Sequence, residues 1–549
     1  MTALGLMLLT VPTAHAQVQR TALVQANDPV YLDIARLAEL GVLQNVVLGQ
    51  QPYSRREIAR IVDAAQKRLA ESVTGSSPWI ADDARELADR LVDRIASRFA
   101  GEDEEVGTFT PMIRWVDAAD LTFTATDAAR RGFPAPHTSS IEATIDPLAD
   151  RRLGQPARDG RTTALTLSHR LEVGDWMALQ LAERLESYKQ ADTIAATVRA
   201  DVLLASLRLR FRNAALTVGR QQFTWSQEPG DGLFLASDAP ALDQVSLASD
   251  TPFRLPWLLN RIGAVQGTLL YADLGPSVSR SHSRLLAYKV SVRPSDAVEL
   301  GGEFMNHFGG TGGRPSPFGD RLVDFLPFID IFRKHNYADT TRALDVDSDK
   351  LLGLDGRFRL GWLAGITLGG EILLDDFDVH RLRYLFTEEG SQSAFILVPR
   401  LGTVNLSMVL SAKHMGPNTY SHTALLDGIT TRGRLLGDEL GPDAKNFGAT
   451  LRYIPSPQLR VELEGRNVAY SNATYLGFYT DPAQTDFQVR KASSTPNELR
   501  DIGMATLVLQ PVDGLALNLR AGGERIRNAD FNGGRRRDYV FEASVRIVR

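Results

Sequence analysis

Residues 203–212 read Leu203-Leu204-Ala205-Ser206-Leu207-Arg208-Leu209-Arg210-Phe211-Arg212. Leu203, Ala205, Leu207, Leu209 and Phe211 share one parity; Ser206, Arg208, Arg210 and Arg212 share the other. A β-strand points successive side chains to opposite faces, so this stretch has one apolar face and one strongly cationic face. A helical period would place these arginines in a core. The alternation recurs to the end of the chain. Leu165, Leu167, Leu171 and Val173 alternate with Thr166, Ser168, Arg170 and Glu172. Leu286, Tyr288, Val290 and Val292 alternate with Lys289, Ser291 and Arg293, and Leu354, Phe358, Leu360 and Trp362 with Asp355, Arg357 and Arg359. Phe541, Ala543, Val545 and Ile547 alternate with Glu542, Ser544 and Arg546. Stacked soluble sandwiches, each with a solvated face, would share the alternation. Charged positions on nearly every strand of one long run instead predict a transmembrane antiparallel β-barrel, apolar toward lipid and polar toward the lumen.

Composition agrees. Of 549 residues, 23% are charged, and no stretch beyond the N-terminus approaches the roughly 20 apolar residues of a membrane helix. Barrels hide their membrane signal because only alternate residues face lipid. There is no cysteine, which excludes disulfides and cysteine-ligated metals. A net charge of −5, from 61 basic and 66 acidic residues, gives no basic excess for nucleic acid.

Residues 1–16 resemble the end of an export signal: Ala3 to Val11 is apolar and Ala14-His15-Ala16 is an A-x-A cleavage triplet. No Lys or Arg precedes the apolar run, which points to a start codon upstream. Residues 17–106 read as a small helical bundle. Tyr31, Ile34, Leu37 and Leu40 fall at helical spacing and stop at Gly41; Ile58, Ile61, Val62 and Leu69 mark a second helix from Ser54. Ser77-Pro78 reads as the cap and first residue of a third, which presents Ile80, Ala84, Leu87, Leu91 and Ile95. Such a bundle is expected to pack on the periplasmic end of the barrel, as a structural cap rather than a dock for periplasmic envelope proteins. Residues 107–549, at roughly 25 residues per strand with its loops, suggest 16–18 strands. Residues 130–160, 227–257, 309–350, 414–446 and 471–500 are the long-loop candidates.

Residues 218–275 resemble the central signature of the capsule-assembly Wzi family of outer-membrane proteins. The matching parts are Gly219-Arg220, Trp225, Pro229-Gly230, Ser237-Asp238-Ala239-Pro240, Pro256-Trp257-Leu258 and Ile262-Gly263. Arg293-Pro294, Gly302-Glu303-Phe304 and Phe308-Gly309-Gly310 form a second matching stretch, and Asp33 to Gly41 and Pro52-Tyr53-Ser54 a third. The turn after Trp225 is longer than the family's, an Asn-Asn pair is Ser237-Asp238, and the chain ends in Arg549 rather than an aromatic, which suggests a distant member. The resemblance implies a barrel with a periplasmic helical bundle that holds capsular polysaccharide or exopolysaccharide, without catalysis and without a cofactor.

Polysaccharides bind through aromatic faces and dense hydrogen-bond donors, and acidic ones through Arg and Lys. Arg220, Trp225, Trp257, His307 and the triplet Arg535-Arg536-Arg537 are the candidate contacts; Arg208, Arg210, Arg212, Arg357 and Arg359 are the expected lumen-facing basic residues. A cross-strand ladder with Glu172, Glu183 and Glu186 would account for lumen arginines without a ligand. The triplet equally suits a solvated turn or contact with outer-membrane lipid phosphates, and Trp257 with Phe253 an aromatic girdle. The main alternative function is a porin for anionic solutes or sugars; a lipid-modifying barrel enzyme is a third. Asp345, Asp347 and Asp349 have calcium-loop spacing without the glycine and glutamate of an EF-hand. Asp375 to His380 lacks a second histidine at ligand spacing, Ser168 and His169 are adjacent and so point to opposite faces, and no Gly-x-Ser-x-Gly elbow occurs.

Overall fold

The computed structural model describes residues 21–548 other than 75–79, 100–110, 129–130, 134–142, 147, 149–158, 191–194, 229–231, 277–279, 314–347, 376–389, 403, 422–424, 426–427 and 481–486. The export-signal reading of residues 1–16, the Ser77-Pro78 cap, Pro229-Gly230, Asp345, Asp347, His380 and Arg549 lie outside the described residues.

Among the described residues, eighteen antiparallel strands close into one barrel, at the upper end of the expected count. They are β1 (Pro111–Thr126), β2 (Gly160–Val173), β3 (Met177–Lys189), β4 (Thr197–Phe211), β5 (Ala214–Gln221) and β6 (Leu242–Ser249). Then come β7 (Ala264–Asp273), β8 (Arg284–Ser295), β9 (Val298–Phe308), β10 (Ser348–Leu360), β11 (Ile366–Asp375) and β12 (Gly390–Val398). The last six are β13 (Leu406–Met415), β14 (Ala444–Ser456), β15 (Leu459–Tyr470), β16 (Glu498–Val512), β17 (Leu515–Ala529) and β18 (Gly534–Val548). β18 pairs back onto β1, from Ala118 opposite Val548 to Thr126 opposite Val540, and this leaves the sheet no open edge.

The parity rule holds on most strands. Leu165, Leu179, Val245, Leu354, Phe358 and Phe541 are exposed on the outer wall, whereas Thr166, Arg170, Gln180, Arg184 and Asp355 are buried inside. The rule fails where the ladder slips. A bulge in β4 between Val202 and Leu204 shifts its pairing with β3 at Ala182 and Glu183. Beyond it the even-numbered Val198 and Val202 face outward, whereas Ser206 and Arg208 face in. Glu183 is a separate correction: it shares the parity of Leu181 and Leu185, so it lies on the outer wall beside His169, 2.9 Å away, and is not part of an inner ladder. Arg212 is also corrected: it takes a left-handed φ of 54° in the β4–β5 turn and is exposed there, because the strand ends at Phe211.

Connections alternate between two ends. Short turns join β2–β3, β4–β5, β8–β9, β14–β15 and β16–β17; long loops join the opposite ends, including 222–241, 309–347, 416–443 and 471–497. Exposed Trp176, Trp257 and Trp362 lie in the short-turn connections, with Trp115 near the start of β1, as an interfacial aromatic belt would.

Three helices, α1 (Val30–Glu39), α2 (Arg55–Thr74) and α3 (Asp82–Phe99), pack together at the short-turn end. Each hides an apolar stripe; on α3 it is Leu87, Leu91, Val92 and Ile95, while Asp82 and Asp83 favour the N-terminal dipole. α3 starts at Asp82, so Ile80 precedes it. The bundle is bound to the wall by buried charges: Glu39 bridges Arg36 (2.6 Å) and Arg452 (3.3 Å), and Arg94 joins Asp33 to the Pro457 carbonyl. Burial raises the Glu39 carboxyl, but the two guanidiniums outweigh it and hold it below the ordinary value. At Asp33 burial outweighs Arg94, and that carboxyl is raised.

Candidate functional site

The barrel is not an empty tube. Residues 21–54 run along the inside of the short-turn half. Leu23 exchanges hydrogen bonds with the Gln180 side chain (2.9 and 2.7 Å), and Gln50 bonds Ser291 (2.9 Å) and pairs in a two-residue ladder with Trp225. Trp225 belongs to the 222–241 loop, which descends from the long-loop end. Leu233, Phe234 and Leu235 of that loop pack on inward-facing Leu270, Leu285, Leu351 and Leu373 of β7, β8, β10 and β11. These apolar inner positions depart from the expected polar lumen; they are the seat of the loop.

The 416–443 loop folds in beside it. The Tyr420 hydroxyl donates to the Leu233 carbonyl (2.5 Å) and accepts from the Asp438 amide (3.0 Å), and the Ala236 amide donates to the Leu436 carbonyl (3.0 Å). Burial and the Asp438 carboxylate push the Tyr420 phenol well above its ordinary value, so it keeps the proton it donates. Polar anchors complete the seat. Glu371 accepts from the amides of Gln227 and Leu233, both at 2.9 Å, and the Gln227 side chain reaches Asp355 at 2.6 Å and Glu299 at 3.1 Å. Lys289 lies between Glu303 (2.5 Å) and Asp355 (2.7 Å), which prevents these buried carboxylates from standing as an uncompensated cluster.

The sequence candidates do not converge. Trp225 is fully buried between the N-terminal segment and the loop. His307 is buried on β9, with Nε2 2.9 Å from the Ser283 hydroxyl. Arg220 lies at the long-loop rim, in an ion pair with Asp243 (2.8 Å) that Arg432 joins at 3.0 Å. Trp257, 94% exposed, stands in the β6–β7 connection at the other end of the molecule. Arg535, Arg536 and Arg537 do lie at the long-loop end, where Arg536 pairs with Asp538 (2.6 Å) while Arg535 and Arg537 cross from Arg527 and Arg525. Of the lumen arginines, Arg208 is paired with Asp250 (2.8 Å) and Arg210 with Asp175. Arg357 and Arg359 point inward on β10 beside the helical bundle. Among the described residues no group of three His, Cys, Asp or Glu could hold a metal ion; Asp349 is buried on β10 opposite His307.

Reasoning from the sequence missed an outer pair. Tyr475, on the hairpin Thr474–Tyr479 with Phe487–Ala492, donates to Asp443 (3.2 Å), and the Lys491 ammonium lies 5.1 Å from its ring centre. An aromatic ring with a cation and a carboxylate at the rim is suited to stacking on and hydrogen bonding to sugars. Its only signal was a tyrosine in a polar loop.

The residues of the 218–275 signature thus build structure. Gly219 takes φ +113°, and a Cβ there would stand 2.3 Å from the Ala205 carbonyl oxygen. Gln222 ties down the Ser237 and Ala239 carbonyls (2.9 and 2.8 Å). The class these features define is an eighteen-strand outer-membrane β-barrel whose lumen is occupied from both ends.

The model of the Capsule assembly protein Wzi family matches residues 135–539, and the chain belongs to that family. Among solved structures, the chain is similar to Escherichia coli Wzi, described as an outer-membrane protein involved in group 1 capsule assembly and a carbohydrate-binding β-barrel. Identity is 16%, the TM-score is 0.65, and the match covers 96% of this chain and 99% of that one. Pseudomonas aeruginosa OccD3 matches at 11% identity and a TM-score of 0.41, over 81% of this chain and 95% of that one. No curated protein matches significantly.

Proposed function

We propose that this protein is a non-catalytic holder of capsular or exopolysaccharide in the bacterial outer membrane, with its long-loop end at the cell surface and its helical bundle in the periplasm. The observation that carries this is the occupied lumen: two inward loops are clasped through Tyr420, and the N-terminal segment pairs with one of them. A barrel filled in this way suits retention at a surface better than passage, which weighs against the porin alternative. The rim supplies suitable chemistry in Tyr475, Lys491 and Arg535 to Arg537. Family membership, and the carbohydrate binding described for Escherichia coli Wzi, support the same assignment.

The test is retention of polysaccharide purified from the host's own surface by the immobilised full chain in detergent. Saturable retention that weakens in a Tyr475→Ala, Lys491→Ala double variant is expected. Absence of retention of any host polysaccharide by a folded wild-type barrel would overturn the proposal.

A further inference from the structure

Among the described residues, Arg357 and Arg359 lack the carboxylate partners that Arg208 and Arg210 have. Arg357 on β10 is only 9% exposed, yet among the described residues its guanidinium donates no hydrogen bond and forms no ion pair within 4.0 Å. Arg359, two residues on along the same face, is half-buried and likewise has no side-chain hydrogen bond or ion pair among the described residues; its Nε is buried without a partner. A buried guanidinium without a partner is costly, so such groups are normally paired.

Both line one cavity of about 140 Å³ between the helical bundle and the barrel wall. Arg68 of α2 and Arg293 of β8 line it too, against the carboxylates of Asp296 and Glu299. Arg68 is paired with Glu71 at 3.5 Å, so against three carboxylates the four guanidiniums remain in excess by one positive charge. Glu299 cannot offset them fully, because its oxygens already accept from the Leu48 and Gly49 amides, the Gln227 amide group and Arg293. The backbone is shaped around one of these cations. Gly41 (φ +75°) and Gly365 (φ +80°) flank the Arg359 guanidinium, and a Cβ on either would stand 2.3 or 2.6 Å from its Nη2.

We propose that this cavity is a binding site for a phosphate group, which Arg357 and Arg359 grip and which fastens the helical bundle to the barrel. Arginine forks match phosphate oxygens in paired hydrogen bonds, and the cavity has room for one such group. The phosphate can come from a lipid headgroup or from free phosphate. Gly361 lines the cavity and its neighbour Trp362 is exposed in the belt, which brings the site close to the level of the headgroups.

The experiment titrates the full chain in detergent with inorganic phosphate at constant ionic strength, and in parallel measures by native mass spectrometry the retention of phosphatidylglycerol against phosphatidylcholine. Saturable phosphate binding, or selective retention of phosphatidylglycerol, is expected; the arm that responds identifies the source. An Arg357→Gln, Arg359→Gln double variant should weaken the binding at least about tenfold, and Arg90→Gln, on the exposed face of α3, should leave it unchanged. Absence of binding in both arms for the wild type, which needs no variant to fold, would overturn the proposal. So would binding that the double variant, shown to be folded by its heat-modifiable gel migration, retains in full.

Discussion

Tyr420→Phe removes one oxygen and nothing else, at the point where the two inward loops meet. That oxygen makes two hydrogen bonds, to the Leu233 carbonyl at 2.5 Å and from the Asp438 amide at 3.0 Å, in a setting where Tyr420 is 1% exposed. The ring itself is tightly held, since a Cβ on Gly437 would stand 2.3 Å from it, so the phenylalanine ring should keep its place. Each lost bond removes about 1 kcal/mol net and leaves a buried backbone group unsatisfied, for a total of roughly 2–3 kcal/mol. If the loops open as a unit, the open fraction rises roughly 30- to 150-fold. The assay is amide hydrogen exchange in lipid nanodiscs, read at Ala236 and Leu436, whose amides donate to Leu436 and Ile429, with β2 amides as the internal standard. Exchange at those loop amides within about threefold of wild type would refute the clasp.

Further predictions follow from the same geometry. Glu39→Ala takes from buried Arg36 its carboxylate and leaves it the Pro399 carbonyl, while Arg452 keeps Glu462; this should loosen the bundle by about 3 kcal/mol, seen as faster proteolysis of α1 at neutral pH. Because the Glu39 carboxyl is held below its ordinary value in the folded state, its contribution is complete above the unfolded pKa of about 4.3 and is lost as pH falls through the lower folded value. Acid should therefore release the wild-type bundle with a steeper pH dependence than it does in Glu39→Gln. Gly353→Ala sets a Cβ 2.1 Å from the Phe234 ring and should unseat the 222–241 loop by about 1–3 kcal/mol, raising hydrogen exchange at Trp225. In a variant retaining only Trp257 among the tryptophans, shallowly brominated lipids should quench fluorescence more than deeply brominated ones; one retaining only Trp225 should resist both.

The sequence revealed the barrel because alternation is a property of each strand alone. Leu165 and Arg170 announce their faces without reference to anything distant. What remained hidden depends on the third dimension. Arg212 kept the parity of Arg208 and Arg210 on paper, but parity has no meaning beyond the turn that begins after Phe211. Trp257 looked close to Trp225 in the chain, yet β6 lies between them: Trp225 is buried in the lumen against Gln50, whereas Trp257 is exposed at the short-turn end. The filled lumen did leave a trace. Leu269-Leu270, Leu285-Leu286, Leu351-Leu352 and Leu373-Leu374 break the alternation near the long-loop ends of four strands, and in each pair one leucine faces inward to receive the 222–241 loop. A strand that is apolar on both faces is covered on both faces. The pairing of Arg208 with Asp250, and the lack of a partner at Arg357 among the described residues, could not be read from sequence because both turn on contacts made far along the chain.

The central claim is that the barrel holds and does not conduct. Planar-bilayer recording of the purified full chain tests it most directly. The occupied lumen predicts a membrane that stays electrically quiet, with conductance appearing when residues of the 222–241 and 416–443 loops are deleted together. Stable, ohmic channels of large conductance from the intact wild-type protein would contradict it.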